Sequence, residues 1–320
     1  VKILLILFRS LGDVCMGTTV LRAVRVKYPT AQIDFMTEKA NINTLEGNPD
    51  INNIIIGSNY YEALDVFSTN GYDEIYKLNM INHTETSWHH IPELKNQHLV
   101  EWYGKKAEVD VSGDDNIYIY PSEKDEKVVD AVLAEIIGDL TNKKLVAIHT
   151  SSGQYNGKDK KYRIESKDWS INYFDITAER LCRNGYTVIQ IGASSDRKME
   201  YKDVVDLTGK MSFKQTACLL KKCVLYLGVD SGPAYLAGWA GLPALILMGA
   251  TQFVKNGGPS VGPRQSNVEY INAPKPNDKN CSPSPCYINC VIQKLGGCIA
   301  DISTDSVWDK IKSMIGANNE

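Results

Sequence analysis

The stretch VLYLGVDSGPAYLAGWAGLPALILM, residues 224–248, opens on a short continuous apolar run, Val224–Val229, and closes on another, Ala244–Met248. Between them Asp230-Ser231-Gly232-Pro233 turns the chain into a helix, which the fixed φ of Pro233 helps to start. Apolar runs without alternation, joined by a helix, are the pattern of parallel strands covered on both faces.

Towards the N-terminus the same alternation extends to a strand at Leu145–His149, a helix near Phe174–Arg183 ended by Gly185, strands at Thr187–Ile191 and Val204–Leu207, and a helix near Phe213–Lys222. The first half repeats it. Ile3–Phe8 precedes a helix over Val14–Tyr28 with Val20, Leu21 and Val24 on one face, followed by Gln32–Met36. Weaker units follow at Asn53–Ile56, Tyr61–Phe67, Asp73–Leu78, a helix around Leu99–Lys105, and a strand at Ile117–Tyr120. A charged amphipathic helix, Glu123–Ile137, leads through Gly138–Asn142, where the pattern restarts. The chain therefore reads as an α/β protein of two doubly wound, Rossmann-like domains facing each other across a cleft, residues 1–140 and 141–303, with a helix Asp305–Ile315 in a tail of residues 304–320. Ligands are expected at the carboxyl ends of the strands.

Composition narrows the class. The chain has 320 residues, and 35 Lys+Arg against 38 Asp+Glu give a net charge of -3, so no global basic field exists to capture nucleic acid. Contact with a membrane surface would be local and peripheral. No apolar run approaches the roughly 20 residues of a spanning helix: Ile3–Phe8 stops at Arg9, and Leu236–Ala250 contains Gly238, Gly241 and Pro243. Arg9-Ser10-Leu11-Gly12-Asp13 is also a poor cleavage context for a signal peptide. Cys15, Cys182, Cys218 and Cys223 sit singly in apolar segments, as small buried hydrophobes do. A reducing cytoplasm is the expected location.

Two loops carry chemistry. After Ile3–Phe8, the small residues Ser10 and Gly12 let backbone approach a ligand, and Asp13 stands at the head of the helix. Asp13 reads either as a helix N-cap or as a general base that takes a proton from an attacking alcohol. In the second loop, the amides at the helix N-terminus and the Ser231 hydroxyl form a pocket for phosphate oxygens, the plainer reading being Asp230 or Ser231 as a cap. Lys167, after the polar loop Ser151–Ser166, is a cation for a diphosphate or an ordinary solvated lysine. The sequence holds no Asp-x-Asp pair, which weakens the case for a sugar nucleotide held through a divalent metal, and no GxxxxGK[ST], GxGxxG or GxSxG motif.

Together the two loops are similar to a known pair. ILLILFRSLGDVCMGTTVLRAVRVKYPTAQIDFMTE resembles the N-terminal signature of the ADP-heptose:lipopolysaccharide heptosyltransferases, glycosyltransferase family 9. LYLGVDSGPAYLAGWAGLPALILMGAT resembles their donor-domain signature D-[ST]-G-P-x-H-L-A-x-x-x-G-x-P. Asn48-Pro49-Asp50, His98–Tyr103, Lys167-x-Trp169 and Thr208-Gly209-Lys210 add minor matches along the chain. The resemblance implies a GT-B fold, with an acceptor-binding first domain, a nucleotide-sugar-binding second domain and a tail helix that packs back on the first. It implies inverting, metal-independent transfer, with no cofactor for catalysis. By position, Asp13 matches the family's base and Ser10 and Gly12 its flanking loop. Lys167 matches its phosphate-contacting lysine, Asp230-Ser231-Gly232 its donor turn, and Ser151 and Ser152 its hydroxyl residues near the donor. Tyr235 stands where the family has histidine.

The expected function is transfer of a sugar, heptose from ADP-heptose, onto a hydroxyl of a lipopolysaccharide core, a related surface glycan or a protein, at the inner face of the cytoplasmic membrane. A GT-B nucleotide-sugar epimerase and a non-catalytic sugar-nucleotide binder are the alternatives.

Cys281, Cys286, Cys290 and Cys298 form a C-x4-C-x3-C-x7-C run. Four thiolates suit a structural zinc or iron, yet the spacing lacks paired C-x2-C knuckles, so free or disulfide-paired thiols stay open. The run Thr251–Asn267 reads as a rim on the donor site or a plain surface loop, and His83, Trp88, His89 and His90 as an acceptor contact or a solvated loop.

Overall fold

The computed structural model describes residues 1–57, 71–78, 97–152, 167–249, 251, 261–274 and 297–316. The described residues divide into two compact units, 1–122 and those from 123 onward. The expected element at Tyr61–Phe67 and the patch of His83, Trp88, His89 and His90 lie outside the described residues.

The first unit holds β1 (Lys2–Ile6), α1 (Leu11–Lys27), β2 (Gln32–Thr37), a single turn α2 (Ile42–Leu45), β3 (Asn53–Ile56), β4 (Glu74–Lys77) and α3 (Leu99–Lys106). Its strands are parallel in the order β3-β2-β1-β4. Ile3, Leu4 and Leu5 are wholly buried, as the unbroken apolar run of β1 requires of a strand covered on both faces. Gly17 lets α1 lie close to the sheet, because a Cβ there would stand 2.8 Å from Leu7 Cδ2. With β2 on one side of β1 and β4 on the other, the carboxyl end of β1 is a topological switch point, the place where such sheets leave room for ligands.

Ile117–Tyr120 joins no sheet, against expectation. Thr18 Oγ1 accepts from the Tyr118 amide at 2.9 Å and Thr19 Oγ1 donates to the Asn116 carbonyl at 2.6 Å, so side chains of α1 occupy the backbone groups that a ladder would need.

The second unit runs α4 (Glu123–Ile136), β5 (Lys144–His149), α5 (Ile171–Arg183), β6 (Tyr186–Ile191), β7 (Val205–Asp206), α6 (Phe213–Leu220), β8 (Cys223–Val229), α7 (Gly232–Trp239), β9 (Ala244–Met248), β10 (Val268–Asn272), a 3-10 turn Gly297–Asp301, and α8 (Thr304–Ile315). Its sheet is parallel in the order β10-β9-β8-β5-β6-β7, with the switch point between β5 and β8. Ser212 and Gln215 start α6 with a reciprocal capping box.

Two expected boundaries move. The charged helix α4 belongs to the second unit, where it packs on α6 and Asp130 pairs with Lys222 at 2.7 Å, so the division falls at 122/123 and not near 140. The tail helix α8 packs on the second unit. Its Val307 and Ile311 enter the core with Phe174 and Leu181, and its Asp305 binds Arg180 of α5 at 2.7 Å. Trp169, fully buried, fixes this corner by stacking edge-on against Phe174 at 5.0 Å and donating to the Ile302 carbonyl at 2.9 Å. β10 falls at the end of the loop expected at Thr251–Asn267. It is an edge strand, only half buried, so its apolar pattern is short and broken by Glu269. No helix among the described residues is long and apolar enough to cross a membrane.

Candidate active site

The switch point of the first sheet presents Asp13. The N-cap of α1 is Ser10, which places Asp13 in the first helical turn and not at the cap. The Ser10 hydroxyl makes no capping bond; it donates to Asp13 Oδ2 at 2.5 Å, while the Tyr103 hydroxyl of α3 donates to Oδ1 at 2.6 Å. Both carboxylate oxygens are thus held by hydroxyls, and the group keeps lone pairs free to accept a further proton. Gly12 is buried beside it. The loop is fixed from behind by Asn41, whose amide donates to the Arg9 carbonyl at 2.8 Å. Cys15, two residues on, is a buried free thiol that desolvation pushes up beyond the ordinary range, an inert neighbour.

The switch point of the second sheet gathers the remaining residues. Lys167 Nζ meets Asp230 Oδ2 at 2.6 Å, and Thr251 Oγ1 donates to the same oxygen at 2.7 Å. An ammonium has three donors, so Lys167 retains capacity for an anion. Ser231 is the N-cap of α7, with Gly232 and Pro233 in its first turn. The leading amides of a helix have no partner within it and attract negative charge. Ser231 makes no cap bond; its hydroxyl lies 2.9 Å from His149 Nδ1 and 3.1 Å from the Val229 carbonyl.

After β5, Ser151 is buried and its hydroxyl accepts the Arg197 amide at 3.1 Å. The Ser152 amide donates to Asp168 at 2.7 Å, and its buried hydroxyl makes no hydrogen bond among the described residues. Tyr235 is buried, and its hydroxyl accepts the Gly262 amide at 3.1 Å, so it anchors the loop that precedes β10.

The structure therefore brings Ser10, Gly12 and Asp13 together in the first unit; in the second, Ser151, Ser152, Asp230, Ser231 and Gly232 follow the carboxyl ends of β5 and β8 and Lys167 pairs with Asp230, whereas Tyr235 holds the loop before β10. Cys281, Cys286 and Cys290 lie outside the described residues; Cys298 is half-buried in the 3-10 turn before α8. Sequence reasoning met Thr251 only as the start of the expected donor-site rim and Tyr103 only as the end of the family-like segment His98–Tyr103, and gave no role to Asp196 or His149. His149 carried a signal all the same, a histidine closing an otherwise apolar parallel strand at the end where ligands bind.

Two parallel α/β units, each with polar residues at its topological switch point, are the building plan of the GT-B class of proteins. Comparison with known proteins narrows the class: glycosyltransferase family 9 (heptosyltransferase) matches residues 105–288, and the chain belongs to that family. Lipopolysaccharide heptosyltransferase 3 of Escherichia coli is 23% identical over 291 residues, covering 76% of this chain and 81% of the relative. A glycosyl transferase family 9 structure from Veillonella parvula shares the fold at a TM-score of 0.73 and 17% identity, over 99% of this chain and 97% of its own. The iron-containing dodecameric glycosyltransferase TibC of enterotoxigenic Escherichia coli follows at 0.63 and 14%, over 98% of this chain and 75% of TibC.

Proposed function

We propose that this glycosyltransferase moves heptose from ADP-heptose, with inversion and without a catalytic metal, onto a hydroxyl of a lipopolysaccharide core or a related surface glycan or protein. The observation that carries the reading is the Asp13 carboxylate, set by Ser10 and Tyr103 at the carboxyl end of β1 with capacity to accept a proton. Asp13 removes the acceptor's hydroxyl proton as that oxygen attacks the anomeric carbon; the bond to the diphosphate breaks on the opposite face, so one displacement inverts the centre. In the second unit Lys167, the amides heading α7, and the hydroxyls of Ser231 and Ser152 hold the diphosphate and stabilise the charge it gains on leaving. A lysine and a helix N-terminus supply the positive potential that an Asp-x-Asp pair would recruit with a metal. The work is placed at the cytoplasmic face of the membrane, where nucleotide sugars meet glycolipid acceptors.

The donor is tested by thermal shift with ADP-heptose, ADP-glucose, UDP-GlcNAc and GDP-mannose. A ligand at 100 times its Kd adds about 2.7 kcal/mol. ADP-heptose is expected to give the largest shift, and a larger one from the UDP or GDP sugar overturns the assignment.

The four cysteines Cys281, Cys286, Cys290 and Cys298 are proposed as ligands of a structural iron or zinc, the soft, four-thiolate set that such ions favour. The description of TibC as iron-containing supports this. Elemental analysis of the purified protein is expected to find about one metal per chain, lost in Cys286→Ser; a metal-free protein refutes it.

A further inference from the structure

His149 closes β5 in the interior, with both ring nitrogens engaged. Nε2 lies 3.1 Å from Asp196 Oδ2 and Nδ1 lies 2.9 Å from Ser231 Oγ, the side chains of His149 and Asp196 being 5% and 4% exposed. The backbone makes room for this pair at Gly192. A Cβ there would stand 2.2 Å from Asp196 Oδ2 and 2.9 Å from His149 Cδ2, and the residue's φ of +139° suits glycine alone.

Hydrogen-bond accounting sets the protons. The Asp196 carboxylate, which also accepts the Ala193 amide at 2.8 Å, only accepts, so Nε2 carries a hydrogen. In a neutral ring Nδ1 is then an acceptor, and it competes with the Val229 carbonyl, 3.1 Å from Ser231 Oγ, for the one proton of the Ser231 hydroxyl 2.9 Å away. A diphosphate arriving at the head of α7 offers acceptors only. If Ser231 turns its single proton to a phosphate oxygen, neither Nδ1 nor the Val229 carbonyl receives it, and Nδ1 is left facing an oxygen lone pair away from water, which disfavours binding. The conflict ends if the ring gains a proton.

We propose that diphosphate binding at the head of α7 is coupled to uptake of one proton from solvent by His149 Nδ1. The imidazolium donates to Ser231 Oγ, Ser231 donates to the phosphate, and Asp196 balances the charge. This rests on the donor reading above. His149 touches no substrate and acts through Ser231 as a positioning residue. Around this network, burial pushes the Tyr226 phenol up and keeps it neutral, Asp230 is paired with Lys167, and Asp168 lies 3.6 Å from Arg197. The incoming anion itself favours a charged ring.

The test is calorimetric titration with ADP near pH 8, where an ordinary imidazole is neutral, in two buffers of different protonation enthalpy. The ligand's own titration is common to all proteins compared, so the difference between proteins is read. Wild type is expected to take up about one proton more than His149→Gln, and its excess affinity over the variant to fall about tenfold per pH unit through the alkaline limb. Ser231→Ala, which keeps the ring and Asp196, is expected to show no excess uptake, and it carries the test if His149→Gln does not fold. Equal proton counts in wild type and a folded variant overturn the coupling while leaving the donor site standing. Failure of wild type to bind ADP at all overturns the donor reading and the coupling with it.

Discussion

Asp13→Asn is expected to lower kcat by about two to four orders of magnitude, the range a positioned general base contributes, with ADP affinity unchanged. The substitution is nearly isosteric. An amide oxygen can still accept from one of the two hydroxyls at 2.5 and 2.6 Å, and the other hydroxyl can rotate to accept from the amide nitrogen, so the first turn of α1 keeps its shape. What disappears is a group able to receive the acceptor's proton. Tyr103→Phe serves as the graded control, since losing one hydrogen bond to a charged group slackens the carboxylate without removing it, for a loss near tenfold. Steady-state rates with saturating donor, read beside an ADP titration, separate the cases. If Asp13→Asn keeps a tenth or more of the wild-type kcat, Asp13 is not the base. An epimerase would fail differently, turning over donor without any acceptor, and a binding protein would have no turnover to lose.

Legibility of the chain followed the range of the interactions involved. β1, β5, β8 and β9 could be read because a strand buried on both faces writes its environment into consecutive residues, as in Ala244–Met248, found with the bounds expected. Ile117–Tyr120, isoleucine alternating with tyrosine, also reads as a strand but is diverted by Thr18 and Thr19, about a hundred residues earlier in the chain. α4 reads as a plain amphipathic helix, and nothing local says which unit its Val129 and Leu133 will cover. The site divides likewise. Asp13, Asp230 and Ser231 stand in turns whose neighbours betray them. Tyr103 lies 90 positions from Asp13, and His149 lies 47 from Asp196 and 82 from Ser231, so their roles exist only after folding.

Lys167→Met is expected to damage both stability and donor binding, and separating the two decides whether this lysine serves the ligand or only its neighbour. The pair is largely buried, with the Lys167 and Asp230 side chains 15% and 8% exposed, so removing the ammonium strands a carboxylate whose remaining side-chain donor among the described residues is Thr251. Breaking a buried pair from one side costs about 3–5 kcal/mol, whereas replacing both members is often nearly neutral. Lys167→Met with Asp230→Asn should therefore regain most of the denaturant midpoint lost by Lys167→Met alone. Diphosphate binding should not recover with it. A charge-assisted contact to phosphate is worth about 1.5–3 kcal/mol, so ADP affinity should drop tenfold to a hundredfold in both variants. If the double variant regains stability and binds ADP as tightly as wild type, Lys167 is a counterion for Asp230 and the diphosphate must be held by the head of α7 and the hydroxyls alone. If stability returns and affinity does not, the cation faces the ligand as well as the carboxylate.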